Sequence, residues 1–140
     1  MAETFVLDCS VAAKWTLPEP DRAPAQRLLQ RYESGEIALI APDLILAEFA
    51  SLLAKRSRRK EMSADQAAQA YRLLTRCAPR LFDTRRLLQS ALDLSLRRHL
   101  PLWDCVYQAL ALECDCPFLT ADRRLMRGAA GWQPAILLVR

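Results

Sequence analysis

The chain has 140 residues, a formal net charge of +4 and 52% hydrophobic residues, which suits one domain with a real core over residues 1–140. With 26% charged residues it is not a disordered tail, and no apolar run approaches the ~18 residues that span a bilayer. The opening Met1-Ala2-Glu3-Thr4 lacks the basic and apolar regions of a signal peptide, so a soluble cytoplasmic protein is expected.

Residues 4–7 read as a short buried strand, because Phe5, Val6 and Leu7 run without a polar break. Asp8 and Cys9 follow, and Ser10 is a suitable N-cap for a helix over 11–17, which Pro18 and Pro20 stop. A second helix over 22–32 precedes Gly35, placed where a C-cap belongs. Residues 37–41 form a strand ended by Pro42, and Asp43 then caps a long helix to about residue 58. Ser63 with Gln66 makes a capping box for a helix to about residue 77. A short strand at 80–83, a helix over 84–99 capped by Thr84, and a mostly apolar helix over 102–114 come next. The chain closes with a strand at 117–120, a short helix near 121–127, a break at Gly128 and Gly131, and a last strand at 136–139. Strands and helices alternate, and the strands lack polar alternation. That pattern predicts an α/β fold, a parallel sheet covered by helices on both faces.

Five cysteines (Cys9, Cys77, Cys105, Cys114 and Cys116) and one histidine, His99, do not supply a zinc ligand set and read as reduced thiols. The positive charge is clustered, most densely in Lys55-Arg56-Ser57-Arg58-Arg59-Lys60, which leans toward a polyanionic partner.

In an open parallel sheet, ligands bind beyond the carboxyl ends of the strands where the strand order reverses. Asp8 directly follows the first strand, and Asp122 comes two residues after the strand ending at Thr120. Each reads either as a functional acid or as a helix cap. Glu48 shares a helix face with Leu44, Ile45 and Leu52, an apolar stripe on which a carboxylate is costly unless something pairs it. Asp104 lies in the first turn of an apolar helix, one turn from Gln108, where the helix dipole also favours it. Two such charges ~4 Å apart repel by about 4 kcal/mol at an effective dielectric near 20, so a cluster of four survives by binding a hard cation. Oxygen-only ligation points to Mg²⁺ or Mn²⁺, which can clamp a scissile phosphate and activate a bound water for in-line attack.

The stretches Phe5-Val6-Leu7-Asp8-Cys9-Ser10-Val11, Leu46-Ala47-Glu48-Phe49-Ala50, Trp103-Asp104-Cys105-Val106-Tyr107-Gln108-Ala109-Leu110-Ala111 and Phe118-Leu119-Thr120-Ala121-Asp122-Arg123-Arg124-Leu125 resemble, in this order, the motifs of PIN-domain nucleases. The likeness is greatest to the VapC-type toxin subunits of bacterial toxin–antitoxin pairs, and it covers essentially the whole chain. The resemblance implies a three-layer α/β/α sandwich with a mostly parallel sheet, and Mg²⁺- or Mn²⁺-dependent cleavage of RNA. It implies that Asp8, Glu48, Asp104 and Asp122 hold the metal, directly or through water, with the hydroxyls of Ser10 and Thr120 in support. It further implies a homodimer and a small antitoxin that blocks the active site. Where some relatives carry a further acid, Arg123 and Arg124 follow Asp122; they either hold substrate phosphate or are plain surface charge. Lys14, one turn after Ser10, either contacts phosphate or is solvated. Trp15 and Trp103 could stack on bases, but their apolar neighbours favour the core or a dimer contact.

Two rivals stand beside this reading. A haloacid-dehalogenase-like phosphatase would use Asp8, but it wants a second Asp two residues on, where Ser10 stands. A degenerate PIN-like domain would bind a partner without catalysis, yet such domains tend to lose a ligand and all four acids are present.

Overall fold

A computed structural model describes residues 2–129, 131–132 and 136–139. The single-domain expectation also covers positions 1, 130, 133–135 and 140, which lie outside the described residues. In chain order the elements are β1 (Glu3–Leu7), α1 (Cys9–Thr16), α2 (Ala23–Glu33), β2 (Ile37–Pro42), α3 (Leu44–Arg58), α4 (Ala64–Arg76) and β3 (Arg80–Phe82). A 3₁₀ turn (Thr84–Arg86) leads to α5 (Leu88–Arg98), α6 (Leu102–Cys114), β4 (Phe118–Thr120), α7 (Arg123–Gly128) and β5 (Ile136–Leu138).

The five strands form one sheet in the order β3-β2-β1-β4-β5, and every pairing is parallel. Parallel strands need crossovers, and here helices supply them, giving the expected α/β/α sandwich. β1 pairs with β2 on one side and β4 on the other, so the strand order reverses beside it. Val6 and Leu7 are both fully buried although they face opposite sides of the sheet, which explains the unbroken apolar run. Phe49 of α3, Val11 of α1 and Tyr107 and Leu110 of α6 complete the core, with Tyr107 stacked on Phe118 at 5.4 Å. Among the described residues no helix is long and apolar enough to cross a membrane.

Several local expectations hold for the stated reason. Ser63 and Gln66 make the reciprocal capping box. Gly35, at φ +79°, ends α2 with the paired bonds Glu36 N–H to Arg31 C=O and Gly35 N–H to Tyr32 C=O. Others are corrected. α1 starts at Cys9 with Asp8 as its N-cap, so Ser10 lies inside the first turn, and its hydroxyl goes to Asp8. Gly128 is the last residue of α7, one position past the expected helix end, so the break before β5 begins just after it, with Gly131 at φ +80°. The helix foreseen over 84–99 opens as a 3₁₀ turn capped by Asp83, and α5 proper begins at Leu88. Thr84 bonds Asp43 across the sheet end: its N–H and hydroxyl donate to Asp43 Oδ1 at 3.1 and 2.6 Å, and its oxygen accepts from Leu44 N–H. The Asp43 side chain therefore caps α3 only through Thr84.

Candidate active site

The crevice beyond β1 and β4 lies at the reversal point of the sheet, and the sequence arrives there with acids. Asp8 follows β1 at once, and its backbone N–H still donates to Leu119 C=O of β4 at 3.0 Å. Its carboxylate is buried. Oδ2 accepts the Ser10 hydroxyl at 2.6 Å and the Thr120 hydroxyl at 2.7 Å. Those oxygens are anchored in turn: Ala121 N–H donates to Ser10 Oγ at 2.9 Å, and Asp122 N–H to Thr120 Oγ1 at 3.0 Å. The network ties the ends of β1 and β4 together and fixes the orientation of one carboxylate. Burial still pushes Asp8 above the usual carboxylate range; the bonds from Ser10, Thr120 and the Cys9 N–H oppose that shift, and the Asp122 charge adds to it.

Glu48 reaches the same end from the middle of α3, and the hydroxyl of buried Tyr107 on α6 donates to its Oε1. Burial pushes Glu48 up to about 7; the Tyr107 bond resists, and the charges of Asp8 and Asp104 reinforce the rise. Asp104, in the first turn of α6, is pushed up to about 6 by burial, then by Asp8 and Asp122, with Arg124 opposing. Asp122 is the N-cap of α7, its Oδ1 accepting the N–H groups of Arg124 and Leu125. The cap and the functional reading of Asp122 thus coexist in one side chain. The four expected acids feel one another's charge, and no described lysine or arginine forms a salt bridge with any of them.

They share a crevice and not yet a coordination sphere. Among the described residues, no three carboxylate, thiol or imidazole groups converge closely enough to ligate one ion as placed. The donor chemistry fits a hard divalent cation all the same: carboxylate oxygens with adjacent hydroxyls, no imidazole, and mutual repulsion that a cation would relieve. Cys9 offers no thiolate, since burial and then the charges of Glu48 and Asp8 push its thiol upward.

Of the expected cations, Lys14 and Arg123 meet at one cavity beside Ala121, while Arg124 lies within the field of Asp104. Trp15 belongs to the core, with its ring N–H on Ala25 C=O and its face against Tyr32. Trp103 is 52% exposed, next to Asp104 in sequence. Tyr107 is the residue that sequence reasoning missed. It lies three positions after Asp104, hence on a neighbouring face, and a buried phenol needs a hydrogen-bond partner.

The sequence pattern of the PIN domain matches residues 5–131. Among solved structures, PAE2754 from Pyrobaculum aerophilum superposes with a TM-score of 0.72 at 18% identity, covering 99% of this chain and 92% of that one. VapC20 of Mycobacterium tuberculosis, described as a sarcin–ricin loop cleaving toxin, gives 0.68 at 17% identity over 95% and 99% of the two chains. VapBC2 of Rickettsia felis, solved bound to a promoter DNA fragment, gives 0.63 at 11% identity over 96% of each. No curated protein matches the chain.

Proposed function

Because the chain belongs to the PIN-domain family, we propose that it is a single-domain, metal-dependent endoribonuclease and the toxin of a toxin–antitoxin pair. The observation that supports the reading is that Asp8, Glu48, Asp104 and Asp122 lie within one another's field at the reversal point of the sheet, where burial and mutual repulsion raise the pKa of three of them, short of one shared coordination sphere. Ion pairing would quench such a cluster if its purpose were stability, and that pairing is missing among the described salt bridges.

In this reading the four acids hold Mg²⁺ or Mn²⁺, directly or through water. A bound divalent ion lowers the pKa of water and neutralises charge on a phosphodiester. The chain's own residues do the remaining work. Ser10 and Thr120 fix the Asp8 carboxylate so that it need not reorganise as the substrate arrives. Tyr107 orients Glu48 and favours its charged form. Lys14, Arg123 and Arg124 offer the substrate's phosphates positive charge beside the acids. Partners in this reading are RNA, a second copy of the chain and a small antitoxin; two of the similar structures carry the names VapC20 and VapBC2.

The test is cleavage of RNA by the purified protein with Mg²⁺ or Mn²⁺ and with EDTA, for the wild type and Asp8→Asn. Activity that EDTA and the substitution both abolish supports the reading, and EDTA-resistant cleavage by Asp8→Asn defeats it. Growth arrest on expression, relieved by the product of a neighbouring gene, tests the toxin role separately. The phosphatase alternative loses ground, because Ser10 occupies the general-acid position and its hydroxyl is already donated to Asp8.

A further inference from the structure

Beside the acids, the chain forms an open cavity of about 370 Å³ lined by Lys14 of α1, Asp21 of the α1–α2 connection, Pro24 in the first turn of α2, Ala121 and Arg123 after β4, and Val139 after β5. Ala121 lies between Thr120 and Asp122, so the cavity shares a wall with the acid crevice. Its volume is at the lower end of the roughly 300–1,000 Å³ typical of ligand pockets, which suits one nucleotide and not a duplex. Its charges are two cations and one carboxylate, with apolar surface between them.

The cavity wall is fastened in place. Lys14 Nζ donates to Pro20 C=O at 2.8 Å, leaving the ammonium two further donors. The Arg22 guanidinium donates to the carbonyls of Lys14 and Trp15, and Gln26 donates to Lys14 C=O, tying the connection to the end of α1. Asp21 sits in this fastened turn with φ +56°, a left-handed conformation that Asp and Asn tolerate better than most residues. No salt bridge among the described residues joins Asp21 to Lys14 or Arg123.

From these features, and resting on the ribonuclease reading, we infer that this cavity is a specificity subsite for one unstacked nucleotide next to the cut. Lys14 and Arg123 take its phosphate, and Asp21 reads its base. A lysine supplies a point charge and an arginine a planar fork, the pair of donors suited to a phosphate. A carboxylate can only accept, and beside a phosphate it would repel, so once a nucleotide displaces the water around exposed Asp21 its oxygens call for a donating partner. RNA supplies one on a splayed-out base, read on its Watson–Crick edge. Guanine alone presents two adjacent donors there, the N1–H and the amino group, which match the two oxygens of a carboxylate. Adenine and cytosine pair an amine with an acceptor, and uracil sets a single N–H between two acceptors. The subsite is therefore selective for guanine.

Two measurements test this. The first is binding of guanosine 5′-monophosphate and uridine 5′-monophosphate to the intact protein in EDTA, followed by NMR shifts. The second is mapping of cut sites on a random-sequence RNA with divalent metal present. The wild type should prefer the guanine nucleotide by about tenfold or more, the scale of a bidentate base contact. Asp21→Asn, isosteric and at home in the left-handed turn, should remove that preference and the guanine enrichment at one fixed position from the cut. Arg123→Gln should weaken both nucleotides alike. Equal binding of the two nucleotides by the wild type, or a cut-site pattern unchanged in Asp21→Asn, overturns the subsite. If no RNA is cut while Asp21-dependent guanine binding persists, the ribonuclease reading fails and the binding site stands.

Discussion

Two aspartate–threonine pairs sit at the same end of the sheet, and they have opposite consequences. Asp43 follows β2 and bonds Thr84, just after β3; Asp8 follows β1 and bonds Thr120, the last residue of β4. Both pairs bridge the ends of adjacent parallel strands with a short hydroxyl–carboxylate bond. Asp43 is exposed and its oxygen is occupied by donors, so it acts as a staple between β2, β3 and α3. Asp8 is buried with three other acids in reach of its charge, and its environment disfavours the ionised form that its hydrogen bonds favour. The motif is shared; burial and company decide whether it holds the fold or holds a site.

The largest contrast is expected from removing each charge. Asp8→Asn or Asp104→Asn should lower RNA cleavage on the order of 10³-fold, the several kcal/mol that metal-assisted charge stabilisation supplies, while metal-free thermal unfolding stays equal or rises. A fall in melting temperature with retained cleavage would make Asp8 a staple like Asp43. Next, Thr120→Val or Ser10→Ala should reduce cleavage or metal affinity by roughly 10–100-fold, the usual effect of losing a group that orients a ligand. Isothermal titration with Mn²⁺ checks this independently of activity.

Asp43→Ala should do the reverse. It removes two hydrogen bonds to Thr84 and should cost about 1–2 kcal/mol in denaturant unfolding with cleavage unchanged. A smaller effect comes from pH. Glu48 and Asp104 titrate near 7 and 6 when folded, above ordinary carboxylates, so the folded state binds their protons more tightly than the unfolded chain. Their stabilising contribution is full below the unfolded values and lost as pH rises through about 6 to 7. The melting temperature of the EDTA-treated protein should therefore rise between pH 8 and pH 5, and Mg²⁺ should flatten the slope; a slope of the other sign contradicts the raised values. The smallest change belongs to Tyr107→Phe. Without the phenol, Glu48 loses the bond that lowers its pKa, and the acidic limb of the cleavage profile should move to higher pH.

The fold was largely legible because β1 and β2 run apolar without alternation and each helix has a stop or cap in sequence. Asp8 and Asp122 were legible from the rule that parallel sheets bind ligands at their carboxyl ends, and Glu48 from its place on an apolar stripe. The local error at Ser10 has a physical cause. A serine after a strand is a good cap, but here Asp8, which already takes the N-cap position, and Thr120, far off in sequence, claim its hydroxyl. Tyr107 was hidden because the phenol counts toward an apolar helix until its oxygen's neighbour is known. The Asp21 cavity was invisible for a similar reason: α1, the connection after it, the turn after β4 and the end of β5 build it together.

The bond between Thr120 and Asp8 joins residues 112 positions apart, and it closes the crevice by pairing β1 with β4. Bringing such distant segments together is slow in folding and comes after local helices have formed. Until that long-range pairing forms, Asp8 lacks the Thr120 donor that orients its carboxylate, so a partly folded chain carries the acids without the geometry of the crevice.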